Sequence, residues 1–227
     1  MTATPRLVEV RQHVLKQNDV TARALRERFR EAGTFVVSLV SSPGTGKTAF
    51  LEKVLSALRD RYLVAALVGD LATDNDAVRL ARSQVPVKQI ITGTVCHLEA
   101  KMVESALTDW SLPKLDYLFI ENVGNLVCPS SYDLGEDLRL VLISVTEGED
   151  KPLKYPVIFN TADAAIITKI DLAAAVEFDA ATAWTSIQSV RPGMTVLEVS
   201  TKTGEGLVKF LDFLEAAKVD HLRERAR

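Results

Sequence analysis

The chain has 227 residues, of which 47% are hydrophobic, and it carries a formal net charge of −3. This length fits one large domain or two small ones, and the composition supplies enough apolar residues for a full core. The acidic balance excludes the broad cationic surface that collects nucleic acid.

No segment predicts secretion or membrane insertion. The opening residues, MTATPRLVEV, lack a basic stretch followed by an apolar run. The apolar runs elsewhere are shorter than the ~18 residues that a membrane-spanning helix needs. Two cysteines in a chain of this size do not make a disulfide framework. We therefore expect a cytoplasmic protein with neither a nucleic-acid nor a membrane partner.

The chain begins with a helical pattern over residues 4–32, where apolar residues recur every three or four positions. Within it, the pair Asn18-Asp19 could divide the helix by capping a second one. From residue 34 onward, short β-branched runs replace the continuous helical pattern. The pattern predicts an N-terminal helical arm at residues 1–33, followed by a main domain at residues 34–227.

In the main domain, short β-branched runs alternate with amphipathic stretches. The runs lack strict polar alternation, which is typical of parallel strands buried on both faces. The predicted class is therefore α/β, with a mostly parallel sheet flanked by helices. The predicted strands are residues 34–41, 62–69, 87–91, 115–121, 138–145, 164–170 and 195–200. The predicted helices are residues 47–60, 74–84, 97–109, 175–190 and 205–218.

The first strand runs into SSPGTGKT, which matches the phosphate-loop pattern G-x-x-x-x-G-K-[ST] except for Ser41 at its first position. In this pattern the lysine, Lys47, reaches the β- and γ-phosphates, and the hydroxyl of Thr48 coordinates Mg²⁺. The following helix directs its positive end at the anion. The alternative is an ordinary glycine-containing turn. We predict a P-loop NTPase whose loop residues at the nucleotide are Gly44, Thr45, Gly46, Lys47, Thr48 and Ala49.

Two acidic residues, Asp70 and Glu121, end predicted strands. Because ligands bind at the carboxyl ends of parallel strands, both can face Mg²⁺ and the γ-phosphate. Thr73 and Asp74 are expected to cap the next helix, and the sequence does not decide which of Asp70, Asp74 and Asp76 acts in catalysis. The predicted catalytic residues are Lys47, Asp70, Asp76 and Glu121, and the predicted Mg²⁺ ligands are Thr48, Asp70 and Glu121.

The two cysteines follow strands that end at the same predicted edge of the sheet. Cys96 adjoins His97 after one strand, and Cys128 follows another. Thiolate and imidazole are the ligands that suit Ni²⁺ or Zn²⁺. Three ligands are one short of a closed tetrahedral site, so water or a second subunit could complete it. The alternative is that the cysteines pack as small apolar residues.

Two loops near the C-terminal end predict guanine recognition. In TKID, Asp171 would accept from the guanine edge while the stem of Lys169 packs on the base; many GTPases have Asn where this chain has Thr168. The later loop, STKTGEG, offers backbone contacts from Ser200, Thr201 and Lys202. The alternative is a pair of ordinary strand–loop–helix junctions. We expect GTP and GDP rather than adenine nucleotides.

Several segments resemble one family, the hydrogenase nickel-incorporation GTPases called HypB. They are GDLATDNDAVR, CHLEAKMV, ENVGNLVCPSSYDLGE, SVTEGEDKPLKYP and ADAAIITKIDL, and the resemblance covers about residues 34–217. It implies a GTPase that delivers nickel to the large subunit of [NiFe]-hydrogenase with a HypA-type accessory protein. It also implies a nucleotide-dependent homodimer with Cys96, His97 and Cys128 in a nickel or zinc site at the interface.

The resemblance bears on further residues. Lys151 and Lys154 could reach the nucleotide of the partner subunit, or they could be solvated surface lysines.

The arm lacks the cysteine-rich or histidine-rich tract with which some relatives store nickel, so we expect no storage site. His13 and His221 are expected to be ordinary surface histidines.

Three other functions are compatible with parts of the sequence. A urease-type nickel GTPase usually has a Cys-Pro-His motif, whereas this chain has Cys128-Pro129-Ser130. A metabolic P-loop kinase would have no use for a guanine-selecting Asp171. A metal-binding scaffold with a vestigial nucleotide loop would not need an intact Lys47.

Overall fold

The computed structural model describes residues 6–71, 75–108, 110 and 114–225. Its strands form one parallel sheet of seven strands in the order β3-β2-β4-β1-β5-β6-β7. The predicted α/β class and all seven predicted strands are confirmed. The strands are β1 (Phe35–Ser41), β2 (Val64–Asp70), β3 (Val87–Ile91), β4 (Tyr117–Glu121), β5 (Leu138–Ser144), β6 (Ala164–Thr168) and β7 (Thr195–Val199).

Helices cover both faces of the sheet and make most of its connections. They are α1 (Arg6–Ala32), α2 (Lys47–Leu58), α3 (Asn75–Ala81), α4 (Ala100–Thr108), α5 (Lys151–Lys154), α6 (Pro156–Thr161), α7 (Ala180–Val190) and α8 (Leu207–Arg225). Short 3-10 turns span Cys128–Ser131, Val145–Glu147, Ile170–Leu172 and Ala174–Val176. Among the described residues, no helix combines the length and the apolar character that crossing a lipid bilayer would require.

The first helix corrects one expectation. The Asn18-Asp19 pair does not divide it, because α1 runs unbroken for 27 residues. The side chain of Asn18 is buried and bonds to other parts of the chain, so it does not cap its own helix. The predicted caps at Thr73 and Asp74 lie outside the described residues.

Alternate residues of each strand point to opposite faces, and this separates the core into two layers. On β1, Val37 and Leu39 pack in the layer that contains α2 and α8. Val36 and Val40 point the other way, into clusters formed with α1 and α4 near one end of the sheet and with α6 and α7 near the other. The sheet is therefore covered on both sides, which explains its nearly continuous apolar strands.

The strand order brings the ends of β1 and β4 together. β1 lies between β4 and β5, and its register pairs Leu39 with Glu121. The loop after β1 is the predicted phosphate loop, so Glu121 lies beside that loop at the carboxyl edge. This edge of a parallel sheet is the usual position of a ligand site.

The C-terminal helix binds the opposite edge of the sheet and corrects a second expectation. His221 is not an ordinary surface residue, since its Nε2 lies 2.8 Å from Oδ1 of Asp137, whose side chain is fully buried. One turn earlier, Nζ of Lys218 lies 4.2 Å from the centre of the Tyr117 ring. These contacts hold α8 against the sheet. His13 is exposed, as expected.

Gly206 permits the closest backbone approach at the start of α8. Its φ is +75°, and a Cβ added there would lie 1.8 Å from the carbonyl oxygen of Glu198. We expect Gly206→Ala to lower the free energy of unfolding by about 2–4 kcal/mol, because it combines left-handed strain with a clash against rigid backbone. Chemical denaturation measures this loss.

Gly193→Ala is the matched control. Gly193 has a similar φ of +82°, but a Cβ there would meet nothing within 4 Å. This substitution should lower the free energy of unfolding only by the cost of the left-handed strain, about 1 kcal/mol. Equal losses for the two variants would contradict the predicted clash.

Candidate nucleotide and metal site

The phosphate loop lies between β1 and α2 and borders a cavity of about 550 Å³. Gly44 and Gly46 have φ values of +76° and +95°, in the left-handed region that glycine adopts without strain. This conformation lets the loop turn its backbone N–H groups inward. All six loop residues predicted to contact nucleotide line the cavity, together with Asp70, Asp76, Lys169 and Thr201.

The TKID segment holds the phosphate loop from one side. The hydroxyl of Thr168 donates to the carbonyl oxygen of Thr45 at 2.6 Å, and the ammonium of Lys169 donates to that of Gly44 at 2.7 Å. Thr168 is buried. Through its single hydroxyl, Thr168 thus connects TKID, the predicted base-binding segment, to the phosphate loop.

The two predicted base loops contact each other. Oδ1 of Asp171 accepts from the hydroxyl of Ser200 at 2.6 Å, and Ser200 is fully buried. The same hydroxyl oxygen accepts from the backbone N–H of Lys202 at 3.3 Å. Thr201, between them, reaches the cavity wall. The carboxylate of Asp171 is therefore oriented by a side chain from the second loop.

Glu121 is the most deeply buried acid of the site, with 1% of its surface exposed. Its Oε1 accepts from the hydroxyl of Thr48 at 2.6 Å and lies 3.1 Å from Nζ of Lys47. Its Oε2 is buried and has no hydrogen-bond partner among the described residues. A buried oxygen beside a threonine hydroxyl is a donor set that suits Mg²⁺, a cation that prefers oxygen ligands.

Asp70 and Asp76 both reach the cavity. Asp70 ends β2, and its Oδ1 accepts from the backbone N–H of Leu71 at 2.7 Å. Asp76 lies in the first turn of α3. Both residues therefore line the same cavity as the phosphate loop. Asp74, the third candidate, lies outside the described residues.

The predicted metal ligands come together. The donor atoms of Cys96, His97 and Cys128 lie within 4.8 Å of one another, and the two Sγ atoms are 2.8 Å apart. Residues 32 positions apart in the chain meet here because the loops after β3 and β4 leave the sheet at the same edge. Three donors of this kind at this spacing can hold one thiophilic metal ion.

The protonation equilibria of these ligands follow from their contacts. The hydrogen bond with Cys128, reinforced by burial, raises the pKa of Cys96 above its ordinary value. Burial lowers the pKa of His97, although Glu99, 3.5 Å from Nε2, opposes this. Nδ1 of His97 has no hydrogen-bond partner among the described residues, and the ring lies against that of Tyr132 with centres 3.9 Å apart. A neutral imidazole is the form that coordinates a metal.

Two asparagines that the sequence analysis missed connect these ligands to the nucleotide side. Oδ1 of Asn122 accepts from the backbone N–H of Leu98 at 3.0 Å and of Val123 at 2.9 Å. Nδ2 of Asn125 donates to the carbonyl oxygen of Cys96 at 3.3 Å. The available signal was position, since Asn122 directly follows Glu121 in the chain.

A third missed residue, Glu147, links the phosphate loop to the segment before α5. Its Oε2 accepts from the backbone N–H of Ser144 at 2.9 Å and lies 3.2 Å from the hydroxyl of Thr45. Lys151 and Lys154 follow in α5, where Lys151 lies over the ring of Tyr155 and Lys154 pairs with Asp150. That either lysine reaches a partner nucleotide is still a prediction.

The chain is similar to characterised proteins over most of its length. The family model for the CobW/HypB/UreG nucleotide-binding domain matches residues 35–198. Hydrogenase maturation factor HypB of Azotobacter vinelandii is 43% identical, over 98% of this chain and 76% of the relative. Hydrogenase/urease maturation factor HypB of Helicobacter hepaticus is 42% identical, over 94% of this chain and 89% of the relative.

Solved structures give the same result. HypB from Helicobacter pylori, crystallised in complex with nickel, superposes with a TM-score of 0.84 at 42% identity, over 90% of this chain and 96% of that one. HypB from Archaeoglobus fulgidus gives 0.83 at 37% identity, over 89% and 99%. The signal recognition particle 54 kDa protein of Aeropyrum pernix, at 13% identity and a TM-score of 0.53 over 82% of this chain and 49% of that one, shares the fold alone.

The contacts of Asn122 generate a prediction. Asn122→Ala removes the acceptor of two buried backbone N–H groups, those of Leu98 and Val123. We expect the free energy of unfolding to fall by about 2–4 kcal/mol, since each unpaired buried donor costs about 1–3 kcal/mol. Amide hydrogen exchange at Leu98 should accelerate more than the global loss explains. Denaturation and hydrogen-exchange mass spectrometry measure both effects.

Asn160→Ala, at an exposed position of α6, is the matched control and should change neither quantity. Unchanged exchange at Leu98 in the Asn122 variant would show that this bond does not hold the loop that carries Cys96 and His97.

Proposed function

The chain belongs to the HypB family of hydrogenase maturation factors, and on that premise we propose that it hydrolyses GTP to deliver nickel to the large subunit of a [NiFe]-hydrogenase. One observation carries the proposal. The segment from Glu121 to Cys128 contacts the phosphate loop at its first residue and supplies a metal ligand at its last. A protein built to bind only nucleotide or only metal would have no need of this connection.

In the proposed reaction, water attacks the γ-phosphate of GTP and yields GDP and phosphate. Lys47 and the loop N–H groups position the phosphates, and Asp70 or Asp76 orients the attacking water. Thr48, Asp70 and Glu121 would hold Mg²⁺, which supplies charge neutralisation at the phosphate oxygens. Asp171 and Lys169 would bind the base, with Ser200, Thr201 and Lys202 closing over it.

Nickel is the cargo in this proposal, and its release is coupled to the nucleotide through Glu121. Lys47 pairs with Glu121, and the same ammonium is needed at the phosphates. Binding of GTP would therefore change the partners of Glu121. The neighbouring Asn122 would transmit the change to Leu98 and so to His97. Hydrolysis would reverse it and alter the affinity for metal.

We further propose that the metal site is completed in a nucleotide-dependent homodimer. Cys96, His97 and Cys128 are one ligand short of a tetrahedral site, and a two-fold axis is the commonest way to add ligands from a second copy. The same three residues could bind Zn²⁺ instead of nickel. Both cysteines are free thiols, and the proposed location is a reducing one, the cytoplasm.

The proposed partners are a HypA-type accessory protein and the hydrogenase large subunit. The names of the relatives, which are maturation factors, support this assignment. The Helicobacter relatives are named for both hydrogenase and urease maturation, so a urease client is the second candidate. Purified apo-forms of the two client enzymes, each activated in vitro, would distinguish them.

The decisive experiment measures metal content per chain and oligomeric mass after incubation with Ni²⁺ or Zn²⁺. Three states are compared: without nucleotide, with GDP, and with a GTP analogue that resists hydrolysis. We expect metal affinity and dimer fraction to differ between the GDP and analogue states. Cys128→Ala should abolish metal binding, whereas Ser131→Ala, at an exposed position of the same turn, should not.

Metal bound equally in all three states would refute the coupling. Nucleotide binding with no metal retained in any state would refute the nickel role.

Asp171 provides the test of guanine recognition. Asp171→Asn should weaken GTP binding on the order of 100-fold, since two hydrogen bonds to a charged acceptor contribute about 1.5 kcal/mol each. Its new amide should favour xanthosine triphosphate, whose carbonyl at C2 accepts a hydrogen bond where guanine donates one. Fluorescent nucleotide titration measures both affinities. Asp212→Asn, on the exposed face of α8, is the matched control. Unchanged GTP affinity in the Asp171→Asn variant would show that other residues recognise the base.

A further inference from the structure

Helix α1 contacts both loops that carry the metal ligands, and it does so through one buried side chain. Asn18 is 6% exposed. Its Nδ2 donates to the carbonyl oxygen of Asp133 at 2.8 Å, and its Oδ1 accepts from the backbone N–H of Ala100 at 2.8 Å. These partners lie 115 and 82 positions away in the chain.

Both partners of Asn18 lie close to metal ligands along the backbone. Ala100 is the first residue of α4 and comes three positions after His97. Asp133 comes five positions after Cys128, just beyond the 3-10 turn that Cys128 begins. A single amide group therefore joins the two loops. It also pairs one of the N–H groups that the start of a helix leaves without an intrahelical partner.

Arg26, two turns along α1, strengthens the second of these attachments. Its Nη2 lies 2.7 and 2.9 Å from the two carboxylate oxygens of Asp133. Burial alone would raise the pKa of Asp133, but the hydrogen bonds from Arg26 and from the N–H of Gly135 hold it below its usual value. Helix α1 packs closely against the loop at Gly135, since a Cβ added to this glycine would lie 2.9 Å from the carbonyl oxygen of Ala22.

We propose that α1 is part of the metal site, and that Asn18, supported by Arg26, is a positioning residue that sets the separation between Cys96–His97 and Cys128. This proposal rests on the proposed metal-binding function. Groups that hydrogen-bond to metal ligands typically change metal affinity by about 10–100-fold when removed, and we expect an effect of this order from Asn18, which holds the backbone near them. The N-terminal arm then acts on the metal without contributing a ligand of its own.

The test compares four variants of the full chain with wild type, using Ni²⁺ and Co²⁺ alone as probes. Affinity is measured by competition with a chromophoric chelator, and ligand geometry by the thiolate-to-metal charge-transfer bands. GDP affinity reports that the nucleotide domain is folded. The variants are Asn18→Ala, Asn18→Asp, Arg26→Ala and the control Gln17→Ala, an exposed amide on the same helix.

Asn18→Ala should weaken metal binding by about 10–100-fold and shift the charge-transfer bands, with GDP affinity unchanged. Asn18→Asp should lie between wild type and alanine, because it keeps the acceptor for Ala100 and loses the donor to Asp133. Arg26→Ala should weaken binding in the same direction. Gln17→Ala should match wild type.

Wild-type affinity and bands in the Asn18→Ala protein would overturn the proposal while leaving the proposed function intact. A wild-type chain that holds no metal would overturn both. Loss of GDP binding in both the Asn18 and the Arg26 variants would show that α1 is required for the fold as a whole, and would also overturn a specific role at the metal.

Discussion

The burial of the Glu121 carboxylate beside the phosphate loop is the constraint on which the site depends. A carboxylate with 1% exposure is stable only where its charge is paired and hydrogen-bonded. Here the pairing groups are Lys47 and Thr48, the two loop residues that a nucleoside triphosphate and its cation require. A bound nucleotide and the Glu121 carboxylate therefore need the same two partners, Lys47 and Thr48. A change in the contacts of one affects the contacts of the other.

The segment that follows Glu121 also contacts the loop that carries two of the candidate metal ligands, Cys96 and His97. Asn122 bonds to the backbone of Leu98, and Asn125 bonds to that of Cys96. Buried side-chain amides of this kind restrict a loop to one arrangement, since breaking one bond leaves an unpaired polar group. One hydrogen bond, from the backbone N–H of Leu98 to Asn122, therefore joins the residue after Glu121 to the residue after His97.

Helix α1 also bonds to the two loops that carry the candidate metal ligands, a contact that the sequence of the arm does not suggest. Asn18 and Arg26 attach the arm to the two ligand-bearing loops. The arm also covers one face of the sheet, where Leu25 and Phe29 enter the core. Stability and ligand positioning are consequently combined in one helix.

From its local patterns of residue types, the sequence predicted the seven strands, the phosphate loop and the acids at strand ends. It also indicated that Cys96 and Cys128 would be neighbours, since parallel strands bring successive loops to one edge. Three features became visible in the folded chain alone: α1 is continuous, Asn18 joins two distant loops, and His221 pairs with a buried acid. The reason is physical: a polar side chain such as that of Asn18 can bond to its own helix, to solvent or to any loop that packs against it. Which partner it meets is determined by the packing of the whole chain.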